Sequence, residues 1–446
     1  MSNDISTFNQ ARESMREPPE PVALSSAQDD RRLAAYLPSR PRPARQALPW
    51  IAALGAMIAL PFIFPGPLGL SVLTQICIAT TFALAYNMLL GGAGLLSFGH
   101  ALYFGLGAYA TAHALNYFAA SIPIILIPLV GGGASLVIGG VFALFTVRKG
   151  KFTFAMISLA IGQLAYAVAT IAKTWSGGDA GVRIDPTTAA QWGIDFGSPV
   201  AIYFLVAGWT WLATLAIFSL TRTPLGRLLN ATRDNPERVE FVGFSPTVIR
   251  GLGLTISAGF AGIAGALYAL TFQVVTLDTL SLQQTTAVML QAYIGGYTSF
   301  LGPVVGAIVM TLVSAHLSTL TDAWPLYLGM LFMTVIVFSP RGLTGAVTSS
   351  WSRWARSYSE LGIMRLVMRV VAYLAGVLLT AAGFVSCTEM VQSMSENNGS
   401  PIPLSWIAAN LALDPHHGAS WLASISMLLI GVIGLVLMQT FTRRSS

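Results

Sequence analysis

The groups in this sequence that could do chemistry are few, and they are concentrated in one place. Residues Thr223 to Gly243, TPLGRLLNATRDNPERVEFVG, hold Arg227, Arg233 and Arg238 together with Asp234, Glu237 and Glu240, and Arg222 stands just before them. Charge at this density belongs in water, where the guanidinium groups offer charge-assisted hydrogen bonds to a partner. Elsewhere ionisable groups are scarce. No acid falls in the middle of an apolar run, and the histidines found in such runs are His100, His113 and His316. A proton relay at membrane depth would need Asp, Glu or His in register, but His100 and His113 are 13 residues apart and do not share a helical face. A nucleotide-phosphate cradle is also absent, since Gly150-Lys151 is followed by Phe152 and lacks the upstream glycine of GxxxxGK[ST]. No paired carboxylates and no nucleophile with a base lie at a common depth. Asp414, His416 and His417 are the residues that would hold a metal, but adjacent histidines on a short loop read first as exposed polar groups. Cys77 and Cys387 lack the spacing of a zinc site or a disulfide framework and read as packing residues. The chain is therefore expected to carry no catalytic residue, no cofactor and no metal of its own.

The framework that holds these groups follows from composition. Of 446 residues 54% are hydrophobic and 9% charged, with a mean hydropathy of +0.68, against about 25% charged in soluble globular domains. This is an all-α polytopic membrane protein. Its net charge of +6 and pI near 9.4 raise the question of nucleic acid, but the charges sit at the ends of apolar segments and no nucleic-acid partner is expected. A bilayer core of about 30 Å takes about 20 apolar residues as helix. On that ruler spans are expected at 48–64, 70–90, 100–118, 122–146, 152–172, 199–220, 249–272, 281–295, 302–318 and 325–339, with two more at 366–386 and 420–441. Residues 1–46, rich in proline, Arg and acids, are expected to form a disordered tail. Residues 47–345 form the membrane domain. Residues 346–446 form an extension that opens with an amphipathic interfacial stretch at 351–365 (Trp351, Arg353, Trp354, Arg356).

Threading the spans alternately with the amino terminus inside tests the orientation. The inside segments are the tail, 148–151, 222–250, 341–369 and 443–444, and they collect every Lys and Arg except Lys173 and Arg183. Because basic residues accumulate in cytoplasmic loops, the Thr223 to Gly243 stretch is expected on that side. Its punctuation implies two short helices: Pro224 suits a first turn, Asp234-Asn235 a cap, Pro236 the next first turn, and Gly243 a stop.

Two places in the membrane domain are irregular. The second and third spans are separated only by GGAGLLSFGH from Gly91, and the eighth is short, begins with Gln283 and Gln284, and ends at Gly295-Gly296. Both are expected to be re-entrant or broken, which membrane depth tolerates only where the backbone is buried in protein or faces water. GGAGLLSFG at 91 and GGYTSFLG at 295 also echo one another and hint at internal duplication. Small residues recur every fourth position at Gly131, Ser135, Gly139 and Ala143, and at Ser257, Ala261, Gly265 and Ala269. Such stripes mark close helix packing.

Asn87 to Tyr109, Ser176 to Gly181 (SGGDAG), Thr223 to Gly243, and Ile294 to Gly306 with Ser339-Pro340-Arg341-Gly342 resemble, in the same order, the LivM branch of the branched-chain amino-acid (and amide or urea) ABC importer permeases. The resemblance covers roughly residues 48–345 and leaves the tail and the extension unexplained. It implies a BtuC-like importer architecture of about ten core transmembrane or re-entrant helices, here with two added at the carboxyl terminus, in the bacterial inner membrane with the amino terminus cytoplasmic. It also implies two cytoplasmic ATPase subunits carrying ATP and Mg, a second LivH-like permease and a periplasmic amino-acid-binding protein.

By the same resemblance Gly226, Arg227, Arg233, Asp234, Asn235, Glu237, Arg238 and Gly243 belong to the loop that sits in the ATPase cleft. Within it, Asp234 and Glu237 are expected to cap the second helix and the three Arg to face the partner. Asn87, Ser97, His100, Tyr109 and Gln291, polar groups in apolar helices, are the candidates for a translocation pathway. His100 is expected near the cytoplasmic face, fixing the broken segment. The loop 173–198 is a candidate contact for the binding protein. A urea or amide permease of the same family and an ion-coupled amino-acid carrier are the alternative functions, the second disfavoured by the lack of intramembrane acids.

Overall fold

The main helices of the computed structural model among the described residues, in chain order, are α1 (Pro43–Ile63), α2 (Pro67–Asn87), α3 (Ala101–Phe118), α4 (Ile127–Thr146), α5 (Lys151–Ile171), α6 (Pro199–Arg222), α7 (Pro224–Asp234), α8 (Pro236–Phe241), α9 (Pro246–Phe272), α10 (Leu282–Gly295), α11 (Gly302–Leu317) and α12 (Trp324–Phe338). Proline opens most of them, because its missing N–H is one that the first turn leaves unbonded anyway. The structure describes residues 43–118, 122–148, 150–185, 198–319, 323–339 and 342–345, with short parts of the C-terminal region, chiefly 383–388 and 420–431. The residues before 43, the stretch 351–365, most of the two spans expected at 366–386 and 420–441, and Asp414, His416 and His417 lie outside the described residues.

By compactness the chain divides at Ala59, inside α1. The first unit is represented among the described residues by the beginning of that helix alone. α1 starts at Pro43, one turn before the apolar run, so residues 43–46 are helix and not tail.

In the second unit, α2, α3, α4 and α9 pack through small side chains. Gly131, Ser135, Gly139 and Ala143 are all buried, whereas Leu136, Val137, Val141, Leu144 and Phe145 on the same helix point outward. Large apolar residues outside and small ones inside is the arrangement lipid favours, because association there depends on close backbone approach. The two small-residue stripes do not face each other. Ser257 of the α9 stripe bonds the carbonyl of Ala85 on α2, and Gly265 lies against Phe104 on α3. The α4 stripe is met by the adjacent row of α9, with Gly139 on Ala258, Ser135 on Gly262 and Gly131 on Ala266. Gly262 is wedged between α3 and α4, against Gly107 on one side and Gly131 on the other.

Hydrogen bonds between helices reinforce the packing. Ser135 Oγ donates to Tyr103 O at 2.7 Å, Thr210 Oγ1 to Cys77 O at 3.1 Å, and Trp209 Nε1 to Ile125 O at 2.8 Å. A separate apolar cluster of Ile294, Met310, Leu328 and Val335 holds α10, α11 and α12 together.

The expected spans divide by length into full crossings and shorter apolar helices. Five described helical segments are long and apolar enough to cross a bilayer: Pro67–Ala93, Ile124–Thr146, Lys151–Ile171, Pro199–Arg222 and Pro246–Phe272. The stretch at 100–118 is a helix, but its 18 residues are mostly buried within the bundle. α10, α11 and α12 have 14, 16 and 15 residues, which at 1.5 Å per residue give roughly 21–24 Å, short of a bilayer core. The SGGDAG segment is pinned by a two-stranded antiparallel pairing, Val182 with Val275 and Arg183 with Val274, which ties it to the end of α9.

Candidate functional site

The charged hairpin is built from local signals. Thr223 Oγ1 accepts from Gly226 N to cap α7, and Asn235 Oδ1 accepts from Arg238 N at 3.0 Å to cap α8. Asn235 is thus the cap that the sequence also offered to Asp234 and Glu237. Asp234 is the last residue of α7 and pairs instead with Arg233 Nε at 3.0 Å, while Glu237 lies exposed in the first turn of α8, where it favours the positive helix end. At the far end Phe244 N bonds Val239 O and Gly243 N bonds Glu240 O. This pair of bonds requires a left-handed residue between the helix and the following chain. Gly243, at φ +91°, supplies it.

The hairpin is fastened to the bundle along one face. Leu229 is buried, against Gly253 of α9 and near Gly92. Gly226 sits where any side chain would strike Leu220 O and Thr221, so α7 leaves α6 in a tight turn. Arg233, one of the three arginines expected to face a partner, is directed inward. Its Nη1 donates to Gly91 O at 2.5 Å, its methylenes cover Gly94, and its own carbonyl accepts from Lys151 Nζ at 3.3 Å. Arg227, Asn235, Glu237 and Arg238 remain exposed. So do Phe241, Val242 and Phe244, at 91%, 69% and 48% exposure. This apolar tip went unnoticed in the sequence. The signal for it was present: VEFVGF is apolar chain placed beyond a cap that commits it to water.

Gly91 belongs to the broken segment, and the break has a definite form. After Asn87 the helix widens into a π-helical stretch, Met88–Ala93, and stops at Gly94 with φ +67°. A π-helical turn inserts a residue into the α ladder and often sits at functional positions. The following extended residues are held by side chains. Phe98 N donates to Ser158 Oγ, and Ala101 N to Thr285 Oγ1, both at 3.0 Å. The two glycine segments that echo each other in sequence touch: a side chain at Gly91 would strike the carbonyl of Tyr297. The Tyr297 turn is in turn braced by Thr344, whose Oγ1 donates to Gly295 O at 2.7 Å and lies 3.0 Å from Ser299 Oγ.

The five pathway candidates do not converge. Asn87 lines a cavity of about 290 Å³ at the root of the hairpin, with Gly91, Leu229, Arg233, Tyr297 and Ser299. Ser97, His100, Tyr109 and Gln291 do not line it. Ser97 and His100 are buried in the broken segment, at 1% and 0% exposure, so His100 lies in the interior and not at a face. Its ring packs among Phe82, Tyr86 and Tyr103, and its Nε2 lies 3.3 Å from Ser257 Oγ. The Ser257 hydroxyl proton is already given to Ala85 O at 2.6 Å, so Nε2 is the protonated nitrogen and donates to Ser257. Nδ1 has no partner. Tyr109 stacks on Trp175, ring centres 4.7 Å apart, and Gln291 sits on α10 where its backbone meets Gly306. The hydroxyl of Tyr109, Oε1 of Gln291 and Oδ1 of Asn87 are buried without hydrogen bonds among the described residues.

In the loop 173–198 the described part, to residue 185, turns on Gly177, Gly178 and Gly181, all at positive φ. His113 Nε2 and Asn116 Nδ2 contact its backbone at Trp175 O and Arg183 O. Among the described residues no group of His, Cys, Asp or Glu has the makings of a metal site.

Comparisons with known proteins bear on the same region. A family model described as "Branched-chain amino acid transport system / permease component" matches residues 69–339, which include the hairpin and both glycine segments. The chain is 26% identical over 326 residues to the high-affinity branched-chain amino acid transport system permease protein LivM of Salmonella typhimurium, covering 67% of this chain and 75% of that one. For the Escherichia coli protein of the same name the figures are 27% over 327 residues, with 67% and 75% covered. A probable branched-chain amino acid transport permease protein LivM of Methanocaldococcus jannaschii is 25% identical over 308 residues, covering 58% of this chain and 88% of that one. No solved structure matches the chain.

Proposed function

The chain belongs to the branched-chain amino acid transport system permease family, and from that membership we propose that it is one of two membrane subunits of an ATP-driven importer for branched-chain amino acids. In this reading two ATPase subunits, each binding ATP and Mg, dock on the cytoplasmic side. A second, related permease completes the channel, and a periplasmic binding protein delivers the substrate. The membrane is the bacterial inner membrane, with the amino terminus in the cytoplasm, as the distribution of Lys and Arg supports.

The observation that carries the proposal is the attachment of the hairpin. A solvent-facing helical pair presents apolar and charged residues on one side and, through Arg233 and Leu229, grips the broken segment on the other. An element joined in this way to irregular backbone within the bundle is suited to pass on movement imposed from outside. The exposed Phe241, Val242 and Phe244 supply buried area for docking, and Arg227 and Arg238 supply orientation through charge-assisted bonds.

The experiment is reconstitution of the assembled importer in proteoliposomes with Asp234 to Glu237 replaced by a Gly-Ser linker. The permease is expected to insert and assemble while stimulation of ATP hydrolysis by the binding protein is lost. Unchanged stimulation would count against the hairpin as coupling element. Accumulation of leucine by the chain alone, driven by an ion gradient, would replace the proposal with a secondary carrier.

A further inference from the structure

The bundle encloses α3 on every row but one. From Ala101 to Leu115 all residues are buried except Leu106, Ala110 and His113, which are four and three positions apart and so share a helical face. Tyr117 continues the row at 76% exposure. These residues line a groove of about 510 Å³, together with Ala134 and Ile138 of α4 and with Thr174 and Trp175 beyond the end of α5. At 1.5 Å per residue the row from Leu106 to Tyr117 is about 16 Å long, roughly half of a 30 Å hydrocarbon core, or one leaflet.

The chemistry of the lining changes along that length. Towards the middle of α3 it is aliphatic, with Leu106 and Ala110. At the end of α3 it is aromatic: the ring of His113 lies 6.1 Å from that of Tyr117 and 5.5 Å from that of Trp175, and Tyr109 backs Trp175 at 4.7 Å. Amphipathic rings of this kind settle at the level of lipid headgroups. Two cations flank the same end. Lys173 and Arg183 are the basic residues that stand apart from the inside segments. Lys173 directly precedes Thr174, and the carbonyl of Arg183 accepts from Asn116 Nδ2, next to Tyr117, at 3.2 Å. Both residues are exposed, and their side-chain donors and the Trp175 indole N–H have no hydrogen-bond partner among the described residues. The acids of the loop, Asp179 and Asp185, do not line the groove.

We propose that the groove holds an acyl chain of an anionic glycerophospholipid, with the phosphate at the aromatic end beside Lys173 and Arg183. Charge and width both select this occupant. Phosphate oxygens accept charge-assisted bonds from the two cations. A volume of about 510 Å³ along about 16 Å leaves a cross-section of roughly 30 Å², room for one hydrocarbon chain, whereas a helix about 10 Å across needs roughly 80 Å². In the orientation given under the proposed function, on which the choice of leaflet rests, this is the outer leaflet. The lipid steadies the loop that begins at Lys173, and that loop is joined to the end of α9 by the pairing of Val182 and Arg183 with Val275 and Val274.

The test is photolabelling of the full chain in phosphatidylcholine nanodiscs doped with a phosphatidylglycerol that carries a diazirine in one acyl chain, the labelled peptides being mapped by mass spectrometry. Label is expected to be denser on 101–118 and 127–146 than on α5, which keeps a broad exposed face, and to be displaced by unlabelled phosphatidylglycerol. The same diazirine on phosphatidylcholine should label the groove about tenfold less, and so should the phosphatidylglycerol probe when Lys173→Gln and Arg183→Gln are combined. Ala110→Phe, which fills the groove, should lower labelling there about tenfold and leave α5 unchanged. Each variant is checked by thermal unfolding. Lys173 and Arg183 are exposed, so their double variant is expected to unfold with the parent, and it decides the matter if Ala110→Phe fails to fold.

Label no denser on the groove than on α5, equal labelling by the two headgroups, or labelling unchanged in the folded variants would each overturn the assignment. Labelling that vanishes when the chain is assembled with a second permease would give the groove to a protein partner instead. ATP-driven uptake by a chain whose groove stays unlabelled sinks the lipid site alone, and a labelled groove without ATP-driven uptake sinks the importer alone.

Discussion

Arg233, at the end of a water-exposed helix, donates a hydrogen bond to the carbonyl of Gly91, in the middle of a π-helical stretch inside the bundle. The two residues are 142 positions apart in the chain. The bond joins the charged hairpin to the π-helical backbone of Met88–Ala93, and the first expectation follows from it.

Arg233→Met keeps the methylenes that cover Gly94 and removes the donor. Hydrogen bonds to a charged group contribute about 1.5–3 kcal/mol when buried, and roughly half of that is expected here because Arg233 is about one-third exposed. Amide exchange across α7 and Met88–Gly94 should quicken together, measured by mass spectrometry in nanodiscs. Arg233→Lys should not restore the parent pattern, because a single flexible ammonium cannot serve Gly91 and Asp234 as the planar fork does. Faster exchange confined to α7 would show that the bond does not join the two elements.

The capping groups predict a local effect. Asn235→Ala removes the side-chain acceptor that caps the first turn of α8, at a cost of about 1 kcal/mol. Protection should fall in α8 and stay constant in α9. A fall in global thermal stability of the same size would show that the hairpin is not an independent unit.

Small-residue packing separates two glycines on neighbouring helices. Gly262→Ala places a methyl against Gly131 O and Ser135 Oγ, and overpacking of this kind costs about 1–3 kcal/mol. Gly133→Ala meets nothing within 4 Å and should be neutral or stabilising by about 0.5–1 kcal/mol through helix propensity. Melting temperature in detergent is the measurement, and equal behaviour of the two substitutions would contradict the packing described.

Removal of the Ser257 hydroxyl leaves His100 Nε2 and the Ala85 carbonyl short of a partner in a buried setting. Ser257→Ala is therefore expected to cost about 1–3 kcal/mol, read as a lower unfolding temperature, with His100→Phe in the Ser257→Ala background recovering part of the loss. No recovery would mean that the histidine is satisfied by another group.

The apolar tip gives a prediction with no stability component. Phe241 is 91% exposed, so Phe241→Asp should leave insertion and thermal unfolding unchanged while lowering co-purification with ATPase subunits. Retained co-purification would move the docking surface elsewhere on the hairpin.

Much of this was open to reading from one sequence. Hydropathy identified a helical membrane protein. Pro224, Pro236 and Gly243 marked the hairpin, and Gly91-Gly92 with Gly295-Gly296 marked the places where helices end. These are local properties, written in residue types within a turn or two of one another. What needed the tertiary structure was every relationship across the chain. Arg227, Arg233 and Arg238 are alike on paper, but of the three it is Arg233, in the last turn of α7, that reaches Gly91. Which row of α9 meets α4 depends on the helix's rotation about its axis, set by where glycines allow carbonyls to approach. The stretch at 281–295 reads as re-entrant or broken from its glutamines and its Gly295-Gly296 end, and those at 302–318 and 325–339 as spans because apolar content is additive along a sequence, whereas the lengths of α10, α11 and α12 were decided by the turns that interrupt them and by the cluster that packs them together. The sequence by itself determined the solvent this chain lives in and where its helices begin; the partners of its few polar groups were decided by packing, because a buried hydrogen bond depends on which backbone comes within about 3 Å, and that distance exists only in the folded chain.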